Sequence, residues 1–304
     1  MTVVIGGFQT FDRAFVSAPP CPGEGISMEV DPPYLLDDRK DAYPGLSFSR
    51  EAVTGVIEMA VRGRWTRRLC LDVYTVMRKC MAENPSAIIV DLHDLSDLDG
   101  DSANMWLAAA HAATILQPPA QLVLSLPPTR QLAGRLRRLG AVRRLPIFPS
   151  MQQARHALTS RVPSTDRLHL HLLPPESASV GTAEDLVAVA CETWSLPAVA
   201  EPSRMVMSEL MTNAVRHAGT DIAVTVSRLG DAVHIAVNDG DPELPLLTEP
   251  AVRRPAGYPR NGGSGLWAVH ARASAWGAMP SRNGKVVWAI VRPRGRPTGD
   301  GPAA

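Results

Sequence analysis

The hydrophobic pattern of the first half of the chain alternates short apolar runs with amphipathic segments. The continuous apolar run at 87–92 is typical of a strand that is buried on both faces. Further strands are predicted over 56–61 and 121–126, and helical spacing predicts helices over 69–81, 102–116, 131–139 and 150–158. Strands and helices that alternate at these lengths predict an α/β sheet with crossover helices.

The second half of the chain has a different order of elements. Strands are predicted over 168–173, 222–229, 232–238 and 285–292, and helices over 180–194, 202–217 and 265–276. Helices that are grouped against adjacent antiparallel strands favour an α+β sandwich for this half. The loop at 241–261 exceeds about 15 residues, a length typical of a functional lid or of disorder.

Segments rich in proline and polar residues predict the boundaries of two domains. Residues 1–45 contain many prolines and little periodicity, which predicts a poorly ordered arm, and the tail 293–304 is predicted to be disordered. The polar segment 159–166 is predicted to link a first domain at 46–158 to a second domain at 167–292. A linker of this length spans at most about 29 Å, so the two domains must lie close together.

Of the 304 residues, 45% are hydrophobic and 20% are charged, a balance typical of a globular protein. No apolar run approaches the roughly 20 residues of a membrane helix, and the N-terminus lacks the pattern of a secretory signal, so a cytoplasmic protein is expected. The formal net charge of +1 offers no overall field that would attract nucleic acid or an acidic membrane. The four cysteines lack the spacing of a zinc, redox or disulfide framework and are expected to be buried thiols.

The first candidate for chemistry is the polar side of the helix at 202–217. Glu209 and Asn213 are one turn apart on this helix and project from the same side, so a carboxylate and an amide share one surface. This pair suits Mg-nucleotide chemistry, because Mg²⁺ takes few protein ligands and prefers oxygen. The alternative is an amphipathic helix whose polar side is merely hydrated.

A second candidate is the end of the strand at 232–238, where Asp239 and Gly240 follow. A carboxylate at a strand end can accept a hydrogen bond from an exocyclic amine such as that of adenine, and glycine permits a turn with positive φ. The alternative is a hairpin turn, for which Asp-Gly is a strong local signal.

A third candidate is the glycine cluster at 261–265, which leads into a helix at Leu266. Gly262, Gly263 and Gly265 would let the backbone approach a phosphate closely, and the first amides of the helix would offer hydrogen-bond donors. A glycine-rich helix start is weak evidence in isolation. The order of the three candidates along the chain is more specific than any one of them.

In this order, the three segments resemble the GHKL (Bergerat-fold) ATP-binding domain that histidine kinases, Hsp90 and anti-sigma-factor serine kinases share; the resemblance covers 167–292. It implies ATP and Mg²⁺ as cofactors. Glu209 would be the general base, Asn213 the Mg²⁺ ligand and Asp239 the adenine contact. Further nucleotide contacts would come from Gly240, Gly262, Gly263, Gly265 and Leu266.

The chain departs from this family's pattern in two places. The expected D-x-G-x-G becomes D-G-D-P-E at 239–243, which replaces both expected glycines. Val286 stands where a threonine is common. Both changes predict weaker ATP binding, while neither touches Glu209 or Asn213.

Residues 46–158 resemble a STAS domain of the anti-sigma-factor antagonist type, on the strand at 88–92 and the loop at 98–103. In that family the loop reads D-S-S-G, with a phosphorylated serine at a helix start. Here Asp101 falls in the acceptor position, where it could mimic a phosphorylated residue, and Ser102 follows. The alternative for Ser102 is a helix N-cap whose hydroxyl bonds a backbone amide.

The resemblances together predict a regulatory serine/threonine kinase of the anti-sigma-factor type, fused to a STAS-like module. Its expected partners are a STAS-domain antagonist, a sigma factor and its own STAS-like half in cis, without direct contact to nucleic acid or membrane. One alternative is a non-catalytic switch that binds ATP and sequesters a sigma factor or antagonist. A free ATPase is a third, and a homodimer is left open.

Overall fold

The computed structural model describes residues 33–37, 43–51, 54–116, 118–159, 167–172, 176–245 and 264–294. The first part forms, in chain order, β1 (Tyr34–Leu35), β2 (Leu46–Arg50), β3 (Val56–Val61), β4 (Gly63–Arg64), α1 (Arg67–Ala82), β5 (Ala87–Asp91), β6 (Leu95–Ser96), α2 (Ala103–Ile115), β7 (Gln121–Ser125), α3 (Gln131–Arg138), β8 (Ile147–Phe148) and α4 (Met151–Thr159). The second part forms β9 (Arg167–Leu172), α5 (Ser177–Thr193), α6 (Pro197–His217), β10 (Ile222–Leu229), β11 (Ala232–Asp239), α7 (Ser264–Arg272), β12 (Ala275–Ser281) and β13 (Gly284–Val291).

One mixed sheet runs through both parts in the order β8-β7-β5-β3-β2-β12-β13-β11-β10-β9, with β1 paired to β12. Strand β5 pairs in parallel with β3 and β7, whereas β9 to β13 pair antiparallel. The predicted mixed α/β class is confirmed. The two parts meet where Ser281 of β12 pairs with Arg50 of β2, so the predicted domains at 46–158 and 167–292 share one sheet, and their boundaries stay a prediction.

The core of the first part lies on both faces of β5, as the continuous apolar run at 87–92 predicts. Ile88 and Val90 pack in the main cluster with α1, α2 and α3. Ile89 packs on the opposite face against Ala154 of α4. The crossover helices therefore cover both faces of the parallel strands.

The antiparallel strands of the second part are also buried on both faces, which their pairing alone would not require. On one face, Ile235 and Val287 pack with α5, α6 and α7. On the other face, Trp288 packs with Tyr34 of β1 and Ala82 at the end of α1. The first part of the chain thus covers the face of this sheet that the helices of the second part leave open.

The prediction of a poorly ordered arm at 1–45 is wrong for 33–37. Tyr34–Leu35 pairs with Gly277 and Ala278 of β12, and the Tyr34 ring stacks on Trp288 with centroids 5.9 Å apart. Lys79 Nζ donates to the Leu35 carbonyl at 2.9 Å. Long-range pairing orders this segment, which local composition does not reveal. Residues 1–32 and 38–42 lie outside the described residues.

The predicted helix at 265–276 ends earlier, at Arg272, and 275–281 is strand β12. The sequence of this strand hides its identity, because Gly277 and Pro280 are poor strand residues. Gly277 is required by close packing: a Cβ there would collide with the Tyr34 carbonyl. The missed strand is the one that joins the two parts.

Parts of the predicted linker and tail cannot be compared with the structure. Helix α4 ends at Thr159, and 160–166 and 295–304 lie outside the described residues. Within the described ranges, no helix combines the length and the apolarity that crossing a membrane requires.

Buried charges lie where the two parts meet. Arg50 forms an ion pair with Glu83, and the two are only 2% and 0% exposed. His234 Nε2 lies 3.8 Å from Glu83 Oε1. Among the described residues, Glu83 Oε2, His234 Nε2 and Trp288 Nε1 find no hydrogen-bond partner. Burial, with Arg50 and Arg167 nearby, holds the pKa of His234 well below its usual value. Burial raises the pKa of Glu83, and Arg50 opposes this.

His234 should make the stability of the chain fall as the pH falls. The folded chain keeps this imidazole neutral, whereas the unfolded chain protonates it below about pH 6.5. The stabilisation is therefore complete above that pH and declines below it by about 1.4 kcal/mol per pH unit. Urea unfolding at pH 7 and pH 5.5 should show a steeper loss for the wild type than for His234→Gln.

The control for this comparison is His111→Gln, an exposed histidine of α2. It should keep the wild-type pH dependence. The raised pKa of Glu83 acts in the opposite direction, because its contribution to the free energy of unfolding is lost as the pH rises. This effect is common to all three proteins. Equal slopes for wild type and His234→Gln would contradict the prediction.

Candidate functional site

Helix α6 presents the predicted carboxylate and amide on one side. Glu209 and Asn213 are one turn apart and half-buried. The opposite side of the helix packs in the core through Met207, Leu210 and Met211. The helical spacing that led to the prediction is thus the spacing of the folded helix.

The first turn of α7 lies directly against this polar side. A Cβ added to Gly265 would lie 2.6 Å from Glu209 Oε2 and 3.7 Å from Asn213 Oδ1. Only glycine fits at position 265 without moving the Glu209 carboxylate. The structure therefore brings Glu209, Asn213 and Gly265 together, although they are far apart in sequence.

The other nucleotide contacts predicted at the glycine cluster and the helix start are Gly262, Gly263 and Leu266. Gly262 and Gly263 lie outside the described residues. Leu266 is 7% exposed and packs in the core of the second part. Its predicted contact with a nucleotide is therefore not available to its side chain, which anchors α7 instead.

The electrostatics at this place follow from the start of α7. The first four amides of a helix have no partner within the helix, and the helix dipole puts partial positive charge there. The Glu209 carboxylate beside Gly265 faces this charge. A phosphate or a metal ion that bridges phosphates would find donors on α7 and oxygen ligands on α6.

Asp239, the predicted adenine contact, is already engaged. It ends β11 and is 3% exposed, and its Oδ1 lies 3.0 Å from Lys285 Nζ and accepts from the Asp241 amide at 3.0 Å. Burial raises the pKa of Asp239, and Lys285 opposes this. The carboxylate that was predicted to read a base thus pairs through Oδ1 with a buried lysine, and its contact with adenine stays a prediction.

Lys285 is the residue that sequence reasoning missed. Its Nζ contacts Asp241 Oδ2 at 2.9 Å as well as Asp239. The signal was present in the predicted strands, because Asp239 and Lys285 are direct partners in the β11–β13 pair. Opposite charges at such positions interact across strands.

Gly240 is required for space, and its φ is not positive as predicted. Its amide donates to Thr220 Oγ1 at 2.8 Å, and a Cβ there would come within 2.8 Å of the same oxygen. A Cβ on Gly284 would collide with the Asp239 carbonyl. The turn after β11 is therefore packed tightly on both sides. The hairpin alternative is wrong, since 241–245 forms no strand.

The loop before α2 is organised by Asp97. Its Oδ1 accepts from the Asp101 amide at 2.8 Å, and its Oδ2 accepts from the Ser102 amide at 3.1 Å and from Ser102 Oγ at 2.6 Å. Ser102 Oγ in turn accepts from Trp106 Nε1 at 2.9 Å. Ser102 stands at the N-cap position, but its hydroxyl bonds no backbone amide, which corrects the N-cap alternative.

The two predicted regulatory residues have different environments. Ser102 is 0% exposed, so its hydroxyl is not presented to a kinase in this conformation. The Asp101 carboxylate is at the surface and forms an ion pair of 3.1 Å with Arg135 of α3. Mimicry of a phosphorylated residue by Asp101 stays a prediction.

The described residues contain no group of three His, Cys, Asp or Glu side chains placed to hold a metal ion. A Mg²⁺ ion at Asn213 would need phosphates and water as further ligands. Cys70, Cys80 and Cys191 are confirmed as buried thiols, and Cys21 lies outside the described ranges.

Comparisons with known proteins give one kind of match. Neither a protein-family model nor a curated protein matches the chain. Among solved structures, the chain is similar to the crystal structure of an anti-sigma factor antagonist from Mycobacterium paratuberculosis, with 18% identity and a TM-score of 0.29 over 38% of this chain and 95% of that chain. A likeness of this size carries no functional argument, so the GHKL and STAS assignments stay predictions.

The environments of Ser102 and Asp101 predict different costs of substitution. Ser102→Ala removes a buried hydroxyl and leaves Trp106 Nε1 without its acceptor, so the free energy of unfolding should fall by about 1–3 kcal/mol. Asp101→Ser removes a surface ion pair and should cost less than about 1 kcal/mol. Urea unfolding of the two variants measures both values. Equal costs would contradict the structural role given to Ser102.

Proposed function

We propose that this chain is a partner-switching regulator whose second part binds Mg-ATP and transfers a phosphoryl group to a serine of a STAS-domain antagonist. The observation that carries the proposal is the contact of Gly265 with Glu209 and Asn213. It puts a carboxylate, an amide oxygen and the start of a helix around one space. The cytoplasm is the compartment in which such a regulator would act.

The residues present fit the phosphate end of the nucleotide. Asn213 would supply an oxygen to Mg²⁺, and the amides at the start of α7 would bind phosphate oxygens. Bound Mg-ATP would supply an electrophilic phosphoryl group whose charge the metal neutralises. Gly265 lets the start of α7 approach the Glu209 carboxylate closely, because it has no Cβ to collide with Oε2.

Glu209 would act as the general base. A half-buried carboxylate next to a helix start can accept a proton from a hydroxyl that comes within hydrogen-bond reach. It would accept the proton of the substrate serine. Asn213, one turn further on, would orient the metal on the same side of α6.

The first part of the chain would act in cis as a built-in competitor and not as the substrate. Ser102 is fully buried and donates to Asp97, so it is a poor acceptor for a phosphoryl group. A tethered module is present at a high effective concentration. It would therefore compete with a free STAS-domain partner or with a sigma factor.

Binding of Mg-ATP should depend on Asn213 and on the space at Gly265. Isothermal titration calorimetry should show at least a tenfold loss of affinity, about 1.4 kcal/mol, for Asn213→Ala. Gly265→Ala should weaken binding as well without loss of stability, because the added methyl displaces only the flexible end of Glu209. Thr212→Ala, next to Asn213, is the matched control. Binding that is unaffected by both Asn213→Ala and Gly265→Ala would contradict this site.

The second candidate function is a non-catalytic switch that binds a nucleotide and sequesters a sigma factor or antagonist. It is favoured by the segment at 239–243, where the expected glycines are replaced and Asp239 Oδ1 is engaged by Lys285. The two functions differ in whether label moves from ATP to a partner protein.

An assay of phosphoryl transfer distinguishes the kinase from the non-catalytic switch. With radiolabelled ATP, Mg²⁺ and a panel of STAS-domain proteins, the wild type should label a serine of a partner, and Glu209→Gln should slow labelling by about 10²–10⁴-fold. Glu201→Gln, an exposed glutamate of the same helix, should behave as wild type. Nucleotide binding without transfer of label would contradict the kinase function and support the non-catalytic switch. Phosphate release without a protein acceptor would indicate an ATPase.

A further inference from the structure

The surface of α3 and of the turn at 140–144 carries a local excess of positive charge. Residues 102–165 include eight arginines and no aspartate or glutamate. Arg135 pairs with Asp101, Arg155 pairs with Glu58, and Arg161 lies outside the described residues. The other five are exposed and form no ion pair with any described residue; together they are called the arginine surface, which consists of Arg130, Arg137, Arg138, Arg143 and Arg144.

The arginine surface is compact. Helix α3 has eight residues and is therefore about 12 Å long, and its apolar side packs in the core of the first part. Backbone carbonyls hold two of the guanidinium groups. Arg130 Nη2 donates to the His93 carbonyl at 2.8 Å, and Arg137 Nη2 donates to the Pro128 carbonyl at 3.1 Å. Several positive charges thus lie along one short helix and the turn that follows it.

Stabilisation of α3 does not account for this charge. A cation is favourable near the C-terminus of a helix and unfavourable near its N-terminus. Arg137 and Arg138, in the last turn, fit this rule. Arg130 stands at the N-cap and does not, while Arg143 and Arg144 lie beyond the helix. Like charges at this density repel one another and destabilise the folded chain, so the arginine surface is better explained by an anionic partner.

Two exposed leucines lie beside these charges. Leu139 follows α3 directly and is 52% exposed, and Leu98 is 74% exposed. The loop that carries Leu98 packs on α3 at Gly100, where an added Cβ would lie 3.3 Å from the Cα of Leu132. Apolar side chains with a charged rim are the pattern of a protein–protein interface. This pattern favours an acidic protein as the partner.

Carboxylates border the arginine surface and oppose a longer polyanion. Asp101 lies at its edge, in an ion pair with Arg135 of α3, and Asp94 and Asp99 are exposed in the same loop. A nucleic acid or an anionic membrane extends beyond the length of α3, so its phosphates would meet these carboxylates, and like charges in contact are unfavourable. A short acidic segment of a protein can end before it reaches them.

We propose that the arginine surface and Leu139 form a docking site for an acidic amphipathic segment of a partner protein. Carboxylates of the segment pair with the exposed guanidinium groups, whose planar donors match a carboxylate, and an apolar side chain of the segment covers Leu139. Clusters of arginine are a recurring means of recognising acidic motifs. This docking site lies on the first part of the chain and does not depend on the nucleotide site.

The full chain tests this proposal with four probes. Three are fluorescein-labelled for anisotropy: a glutamate peptide with leucine at helical spacing, the same peptide with serine in place of leucine, and single-stranded DNA of equal charge. Phosphatidylglycerol vesicles, in a sedimentation assay, are the fourth. The glutamate–leucine peptide should bind most tightly, and its binding should weaken as salt screens the exposed charges. Absence of binding by this peptide, or tighter binding of DNA or vesicles, would overturn the proposal.

Charge reversal at two exposed positions tests the arginine surface itself. The double variant Arg138→Glu, Arg144→Glu should weaken binding of the glutamate–leucine peptide by about tenfold or more, because two attractive contacts become repulsive. The matched control is Arg228→Glu, Arg294→Glu, which changes the net charge equally in the second part. Both control arginines bond backbone carbonyls, as Arg137 does. Equal losses in the two double variants would overturn the proposal.

The apolar contact has its own test. Leu139→Ser should weaken binding of the glutamate–leucine peptide by roughly threefold or more and leave binding of the glutamate–serine peptide unchanged. Val189→Ser, at a residue of α5 with a similar exposure of 54%, is the control and should bind both peptides as the wild type does. An equal effect of Leu139→Ser on the two peptides would show that Leu139 makes no apolar contact and would overturn its part in the docking site.

Discussion

The rest of the structure depends on the cover that Tyr34 and Ala82 give to the second face of β11 and β13. These strands bury apolar side chains on both faces, and the helices of the second part cover only one of them. Trp288 and its neighbours would otherwise face water, at a cost of about 25 cal/mol for each Å² of apolar surface. The end of α1 and the strand β1 supply the missing layer. This requirement explains why the two parts share a sheet although each has its own main cluster of core residues.

The same arrangement positions the candidate site. Helices α6 and α7 pack on the face of the sheet opposite to the one that Tyr34 and Ala82 cover, and Leu35 of β1 also packs on the α6–α7 side. Glu209 and Gly265 therefore meet on the far side of the sheet from the buried pair of Arg50 and Glu83. Asp239 lies on β11, and Lys285 on its neighbour β13.

Much of the fold could be predicted from local pattern. The run at 87–92 and the bounds of β10 follow from hydrophobicity, and the contact of Gly265 with Glu209 agrees with the order of the segments along the chain. The elements and contacts that the sequence did not predict have a common physical cause. Strand β1 is ordered by its pairing with β12, and β12 by its pairing with β13. Ser102 is positioned by Asp97, and Lys285 acts through a cross-strand partner. Long-range contacts decide each of these, and single-sequence pattern does not contain them.

The pairing of β1 with β12 has a consequence for synthesis of the chain. Tyr34 is synthesised about 240 residues ahead of Gly277, its partner in β12. At about 5–20 residues per second, β1 waits for tens of seconds before its acceptor strand exists. During that time Tyr34 and the end of α1 have no partner strand to cover. Their apolar surface is exposed on the nascent chain until β12 and β13 arrive, and transiently exposed apolar surface of this kind favours aggregation.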